Sequence, residues 1–127
     1  MVGGEVMWVY TQSTGVLLFP DGKTTTTGYS GHGPGKNNPA MQHVVMVGPI
    51  PVGSYTIGRR YDSQIRGPVC LPLIPFPKNE MFGRFGFLVH GDSRAHEGGA
   101  SEGCIVIDRP TRVAMSSSTD KTLQVVA

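Results

Sequence analysis

The sequence is poor in charge, in cysteine and in long apolar runs. Asp, Glu, Lys and Arg supply 16% of its 127 residues, against about 25% in ordinary soluble domains, which excludes a charge-rich disordered tail. No apolar run approaches the roughly 18 residues that a membrane-spanning helix needs, so no membrane insertion is expected. There are only two cysteines, Cys70 and Cys104. They are too few for a disulfide scaffold and leave one bridge, one nucleophile or two inert thiols open. The net charge is +2, and beyond Arg59-Arg60 the arginines (Arg66, Arg84, Arg94, Arg109, Arg112) are scattered. Scattered arginines read as solvated surface, so no nucleic-acid partner is expected. The first ten residues carry Glu5 and lack a basic segment followed by an apolar one, so no cleaved signal peptide is expected.

What the chain has in abundance is glycine and proline, 18 and 10 residues, about twice the usual combined share of roughly 12%. Both interrupt helices, so a helical bundle is disfavoured. The length suits a single domain over 1–127, with no repeat and no linker. Val6–Gln12, Val16–Phe19 and Lys23–Tyr29, separated by Ser13-Thr14-Gly15 and Pro20-Asp21-Gly22, predict a β-meander. Ser30–Pro39, with three glycines and two prolines, predicts a loop without regular structure. Short strands are expected at His43–Val47 and Ser54–Arg60, on either side of a rigid turn at Gly48–Gly53. Three prolines in Cys70–Pro77 predict an edge strand or an extended segment. Arg84–His90 and Cys104–Ile107 read as further strands, and Lys121–Ala127 as the last. The one good helix is Asp108–Ser117, where Pro110 follows a plausible start. The fold class is therefore mainly β, a single domain with long Gly/Pro-rich loops and one short helix.

The chemistry concentrates in Leu88–Ile107. His90 ends one apolar strand, Cys104 begins another, and a glycine-rich loop joins them. A nucleophilic cysteine needs a base, and the base needs an acceptor to orient it. Neighbouring strands would bring their loop-side ends, and with them His90 and Cys104, together. Gly103 opens the backbone to a substrate carbonyl, and the N–H groups of Gly103 and Cys104 are the expected oxyanion hole. Alone, Cys104 would be taken for one more buried thiol; His90 and the Gly103 turn favour catalysis. Cys70, between proline-flanked apolar residues, reads as structural. A zinc site from His90, Asp92, His96 and Cys104 lacks any recognised ligand spacing. The Gly31–Asn37 segment does not have the spacing of a phosphate-binding loop. No metal or organic cofactor is expected.

His90-Gly91, then Ser101-Glu102-Gly103-Cys104, resembles the signature of the L,D-transpeptidase catalytic domain, and Gly48–Ile57 is similar to that family's strand entry. With Gly28–Ala40 in the same order, the chain resembles more narrowly the small L,D-transpeptidase-type antibacterial effectors of type VI secretion. One position departs: Glu102 stands where the family has a second histidine. A carboxylate there opposes thiolate formation unless it points to solvent.

The resemblance implies an L,D-transpeptidase-like β-domain in which Cys104 is the nucleophile, His90 the base and the Gly91 carbonyl the group that orients the imidazole. It implies peptidoglycan tetrapeptide stems and free D-amino acids as substrates, with carboxypeptidation, D-amino-acid exchange or cross-linking as outcomes. Type VI secretion components would deliver the protein, made in the cytoplasm, to the periplasm of a target bacterium, and the producer would need a periplasmic immunity protein. Ser93, Ser101, Glu102, Tyr29, Lys36, Asn38 and Arg109 are candidate contacts for the stem. Five have a plainer role too: loop cap for Ser93, a hydrogen bond within the cysteine loop or a turn for Ser101, surface loop for Tyr29, Lys36 and Asn38. A papain-like or NlpC-type peptidase is disfavoured, because those place cysteine before histidine. The alternative of another class is a non-catalytic wall-binding or phage-type structural β-module.

Overall fold

Alternation of inward apolar and outward polar residues sets most of the strands. The computed structural model describes residues 6–93, 98–99 and 101–127. Strands β1 (Trp8–Thr11), β2 (Val16–Leu18) and β3 (Thr25–Thr27) form the expected meander, and β4 (Tyr29–Ser30) follows directly. The remaining strands are β5 (Gly53–Ile57), β6 (Tyr61–Ser63), β7 (Gly67–Pro75), β8 (Leu88–His90), β9 (Ile105–Val106) and β10 (Thr122–Val126). Helix α1 (Arg109–Ser117) connects β9 to β10. Among the described residues these strands make one sheet in the order β3-β2-β1-β10-β5-β7-β8-β9-β4, with β6 paired to β7. Its two ends, β3 and β4, flank Gly28 in one stretch of chain, so the sheet is nearly closed as a barrel. The interior is filled by Trp8, Tyr10, Tyr55, Leu71, Val89, Ile105, Leu123 and Val125 among others. Helix α1 begins where expected: the Asp108 carboxylate caps it by accepting from Thr111 N–H at 2.8 Å, and it packs on β7.

Four expectations are corrected. His43–Val47 is not a strand but a succession of turns, because Val44 and Gly48 N–H groups bond back to Met41 and Val44 carbonyls. The Ser30–Pro39 loop holds a 3-10 turn at Gly33–Gly35, with Pro34 its second residue, and a second such turn, Pro39–Met41, begins at its end with Pro39. The proline-rich segment is not an edge: Gly67–Pro75 is the longest strand and pairs with β5, β6 and β8. Its prolines survive because its partners change along its length. Pro72 falls where β5 has ended at Ile57 and β6 has not yet begun, and Pro75 closes the strand. Finally, only Leu88–His90 of the Arg84–His90 run is strand. Gly83 and Gly86 adopt positive φ, which turns Phe85 out to solvent and Arg84 inward.

Candidate functional site

Strands β8 and β9 are parallel, with Val89 opposite Ile105 and His90 opposite Val106. Val89 and Ile105 belong to the interior. Strict alternation then places Leu88, His90, Cys104 and Val106 on the outer face. His90 and Cys104 thus share a face, but parallel pairing does not bring them level, as joined loop-side ends would. Cys104 lies opposite Leu88, whose N–H donates to its Sγ at 3.3 Å. It is two residues from the level of His90, about 6.6 Å of strand rise. No hydrogen bond joins the two side chains.

His90 is 1% exposed. Its Nδ1 lies 2.8 Å from the carbonyl of Gly91, so Nδ1 carries the proton and Nε2 bears the lone pair. Nε2 is buried without a partner among the described residues. Burial holds the imidazole below its ordinary 6.5, the Gly91 hydrogen bond opposing and the Arg66 and Arg112 charges assisting. Burial likewise pushes the Cys104 thiol above its ordinary 9.0, against the Leu88 N–H and the Arg66 charge. The resting pair is therefore neutral imidazole and neutral thiol, not an ion pair.

Beside His90 opens a cleft of about 810 Å³. One wall is the β6–β7 turn with Ile65 and Arg66 and the start of β7 with Pro68; another is the start of α1 with Arg109 and Arg112; Gly91, Asp92, Ser93 and Glu102 also line it. Asp92 is saturated: it accepts from Tyr29 Oη at 2.6 Å and from the N–H groups of Ser93 and Gly98. Burial opposes its charge, but these donors outweigh it and hold the carboxyl below the usual carboxylate range. Glu102 points outward and pairs with Arg66 at 3.3 Å.

The loop before Cys104 is built from the inside. Ser101 is fully buried, donates to the Cys104 carbonyl at 2.6 Å, and accepts from the N–H groups of Gly31 and Gly103. It shapes the loop and does not face the cleft as a stem contact would. The Gly103 N–H, spent on Ser101, is out of the expected oxyanion pair as the structure stands, which leaves Cys104 N–H. Ser30 Oγ donates to the Gly103 carbonyl at 2.9 Å and accepts from Ile50 N–H. Asn38 is turned inward on its own loop, bonding Pro34 and Ala40, so it too serves local structure. Lys36 lies 4.4 Å above the Tyr29 ring, which links both to Asp92 at the edge of the cleft. Cys70 is fully buried and no disulfide joins it to Cys104.

Two arginines read as solvated surface are buried instead. Arg84 donates to the carbonyls of Gln42, Pro49, Gly48 and Glu102 and stacks over Phe87. It thereby ties the turn region at 42–49 to the cysteine loop. Gly103 is needed there: its φ is +132°, and a Cβ would fall 2.4 Å from Arg84 Nη2. Arg112 fixes the other side, bonding the carbonyls of Ile107, Pro68 and Val69. One signal was available for it: Arg112 lies three residues before Met115, on the buried stripe of α1. Among the described residues no three His, Cys, Asp or Glu stand close enough to hold a metal ion. His96, weighed as a ligand, lies outside the described residues.

No curated protein matches the chain. The Tlde1 domain model matches residues 24–127, a span that takes in the cleft, the arginine-braced loop, His90 and Cys104. By that match the chain belongs to the Tlde1 domain family of type VI secretion effectors, antibacterial proteins delivered into target cells.

Proposed function

We propose that this effector is a cysteine-dependent enzyme that cuts or remodels peptidoglycan tetrapeptide stems in the periplasm of the target cell. The observation that carries the reading is His90. Its Nδ1 is pinned to Gly91, its Nε2 is buried and bare, and it lines an open cleft on the strand paired with the one that Cys104 leads into. A buried polar atom without a partner is costly, and a general base needs such an unoccupied lone pair.

In this mechanism His90 Nε2 takes the Cys104 proton as Sγ attacks the carbonyl between the L-centre and the terminal D-residue. The step needs Cys104 Sγ to leave the Leu88 N–H and turn towards the imidazole. The tetrahedral oxygen is held by Cys104 N–H. His90 returns the proton to the leaving amine, D-alanine departs, and a thioester remains on Cys104. Water then releases a tripeptide, or the amine of a D-amino acid or of a second stem takes the acyl group. Every proton has a place and no redox partner is required. The Glu102 charge still raises the thiol, behind burial and the smaller Cys70 contribution, while its partner Arg66 acts in the opposite direction.

The test is purified protein mixed with disaccharide-tetrapeptides. D-alanine and tripeptide should appear, D-amino acids should exchange in, and Cys104→Ala should abolish both. Intact tetrapeptide after prolonged incubation under reducing conditions would overturn the enzyme reading. The elevated thiol and the absent His90–Cys104 hydrogen bond favour the second reading, a non-catalytic wall-binding module. That module would bind the stem without turnover and be indifferent to Cys104→Ala.

A further inference from the structure

Two carboxylates and three guanidiniums line the His90 cleft, and their partners differ. Asp92 has both oxygens occupied, and Glu102 is matched by Arg66. Arg109 and Arg112 have no ion pair among the described residues, and both face this cleft. Arg112 is the unusual one. It is only 6% exposed, and desolvation lowers its pKa. Nε and Nη1 are spent on three backbone carbonyls, whereas Nη2 has no partner among the described residues. Nη2 lies against Gly91: a Cβ on Gly91 would fall 2.7 Å from it. The glycine following His90 thus leaves room for a guanidinium edge next to the imidazole.

A buried cation held rigidly, with one edge unspent, suits an anion. Its orientation is already fixed by the backbone, so little entropy is lost when a carboxylate arrives, and low polarity around it strengthens a charge-assisted bond. The position also fits the leaving residue. On the reading proposed above, on which this inference rests, His90 must reach the amide nitrogen of the terminal D-residue. The carboxylate of that residue is one carbon removed from the nitrogen and must lie close to His90.

We propose that Arg112 Nη2, with Arg109 at the rim, is the seat for the free α-carboxylate of the stem's terminal D-residue, and for that of the incoming D-amino acid in exchange. Arg112 and Arg109 are binding residues in this role. The seat makes the protein an end-reader: it accepts a stem whose D-residue ends in a carboxylate and discriminates against one whose D-residue is amidated or followed by another residue.

The experiment compares the tetrapeptide with its C-terminal amide, which keeps the scissile bond and removes the charge. The wild type should prefer the acid by about 10- to 100-fold in kcat/KM, the range of a charge-assisted hydrogen bond, mostly through KM. Arg109→Gln, at an exposed position, should raise KM for the acid more than for the amide and so lower the acid-to-amide ratio. Arg112→Gln removes bonds that hold Pro68, Val69 and Ile107, so it is read only as the acid-to-amide ratio, which should fall towards one. D-Alanine amide should fail as an exchange acceptor where D-alanine succeeds. Equal kcat/KM for acid and amide in the wild type, or an unchanged ratio in Arg112→Gln, overturns the seat. If neither donor is turned over, the enzyme reading fails, and the seat is then judged by equilibrium binding to the wild type. Tighter binding of the acid supports it and equal binding overturns it.

Discussion

Replacing Gly103 by alanine probes the contact on which the cysteine loop is built. The residue's φ of +132° is one that L side chains rarely adopt, and a Cβ there would meet Arg84 Nη2 at 2.4 Å and Phe87 Cε1 at 2.9 Å. The backbone strain costs about 1–3 kcal/mol, and forcing an extra carbon into a packed site costs about 1–3 kcal/mol more. Arg84 has little room to give way, since four backbone carbonyls hold its guanidinium. A loss of about 2–6 kcal/mol is therefore expected, out of the 5–15 kcal/mol typical of a domain. Urea unfolding followed by tryptophan fluorescence reads it directly, because Trp8 is in the core, and the slope should stay constant while the midpoint falls. In buffer where the variant is still folded, D-alanine release should also fall, because displaced Arg84 no longer holds the Glu102 carbonyl. A midpoint shift worth less than about 1 kcal/mol would refute the claim that Arg84 and Gly103 are in rigid contact.

Four further outcomes follow from the same geometry. Activity should disappear as pH falls through a value below 6.5, because burial lowers the His90 pKa and only the neutral imidazole can act as base. An acid limb centred above pH 7 would show that another group controls it. His90 also adds stability that is fully present above its unfolded pKa and is lost as pH falls through the lower folded value; unfolding midpoints that do not decline between pH 7 and 5 would count against its burial. Mild alkylation with peptide mapping should label half-buried Cys104 before fully buried Cys70, and the reverse order would contradict the placement of Cys70. Asp108→Ala removes the cap of α1 and should cost about 0.5–2 kcal/mol, read as a lower unfolding midpoint; an unchanged midpoint would mean that the cap is dispensable.

What could be read from the sequence was local. The meander, the Asp108 cap with Pro110, and the last strand follow from turn residues and alternation that act over a few positions. Long-range pairing was less legible. Prolines in Cys70–Pro77 argue for an edge strand or an extended segment, because no local signal shows that the strand changes partners at Pro72. His43–Val47 is apolar enough for a strand, yet Val45 and Met46 are exposed, and the run is folded into turns. At the site, the His90-Gly91 and Gly103-Cys104 steps stood out because glycine beside a candidate catalytic residue has few other uses. The parallel pairing of β8 and β9, and hence the offset between His90 and Cys104, did not. Nor did the burial of Arg84, since an arginine between glycines and phenylalanines carries no mark of the backbone carbonyls it will meet. Ser101 and Asn38 were singled out for polarity, and the structure spends that polarity on the loops themselves.

The central claim is that Cys104 takes the acyl group of the stem. The most direct measurement is intact-protein mass spectrometry after rapid acid quench of the protein with a tetrapeptide stem, with peptide mapping of any adduct. The expected result is an increase equal to the stem minus D-alanine, carried on Cys104, labile to hydroxylamine and absent in Cys104→Ala. D-alanine release by Cys104→Ala at the rate of the wild type, or an adduct mapped to any other residue, would contradict it.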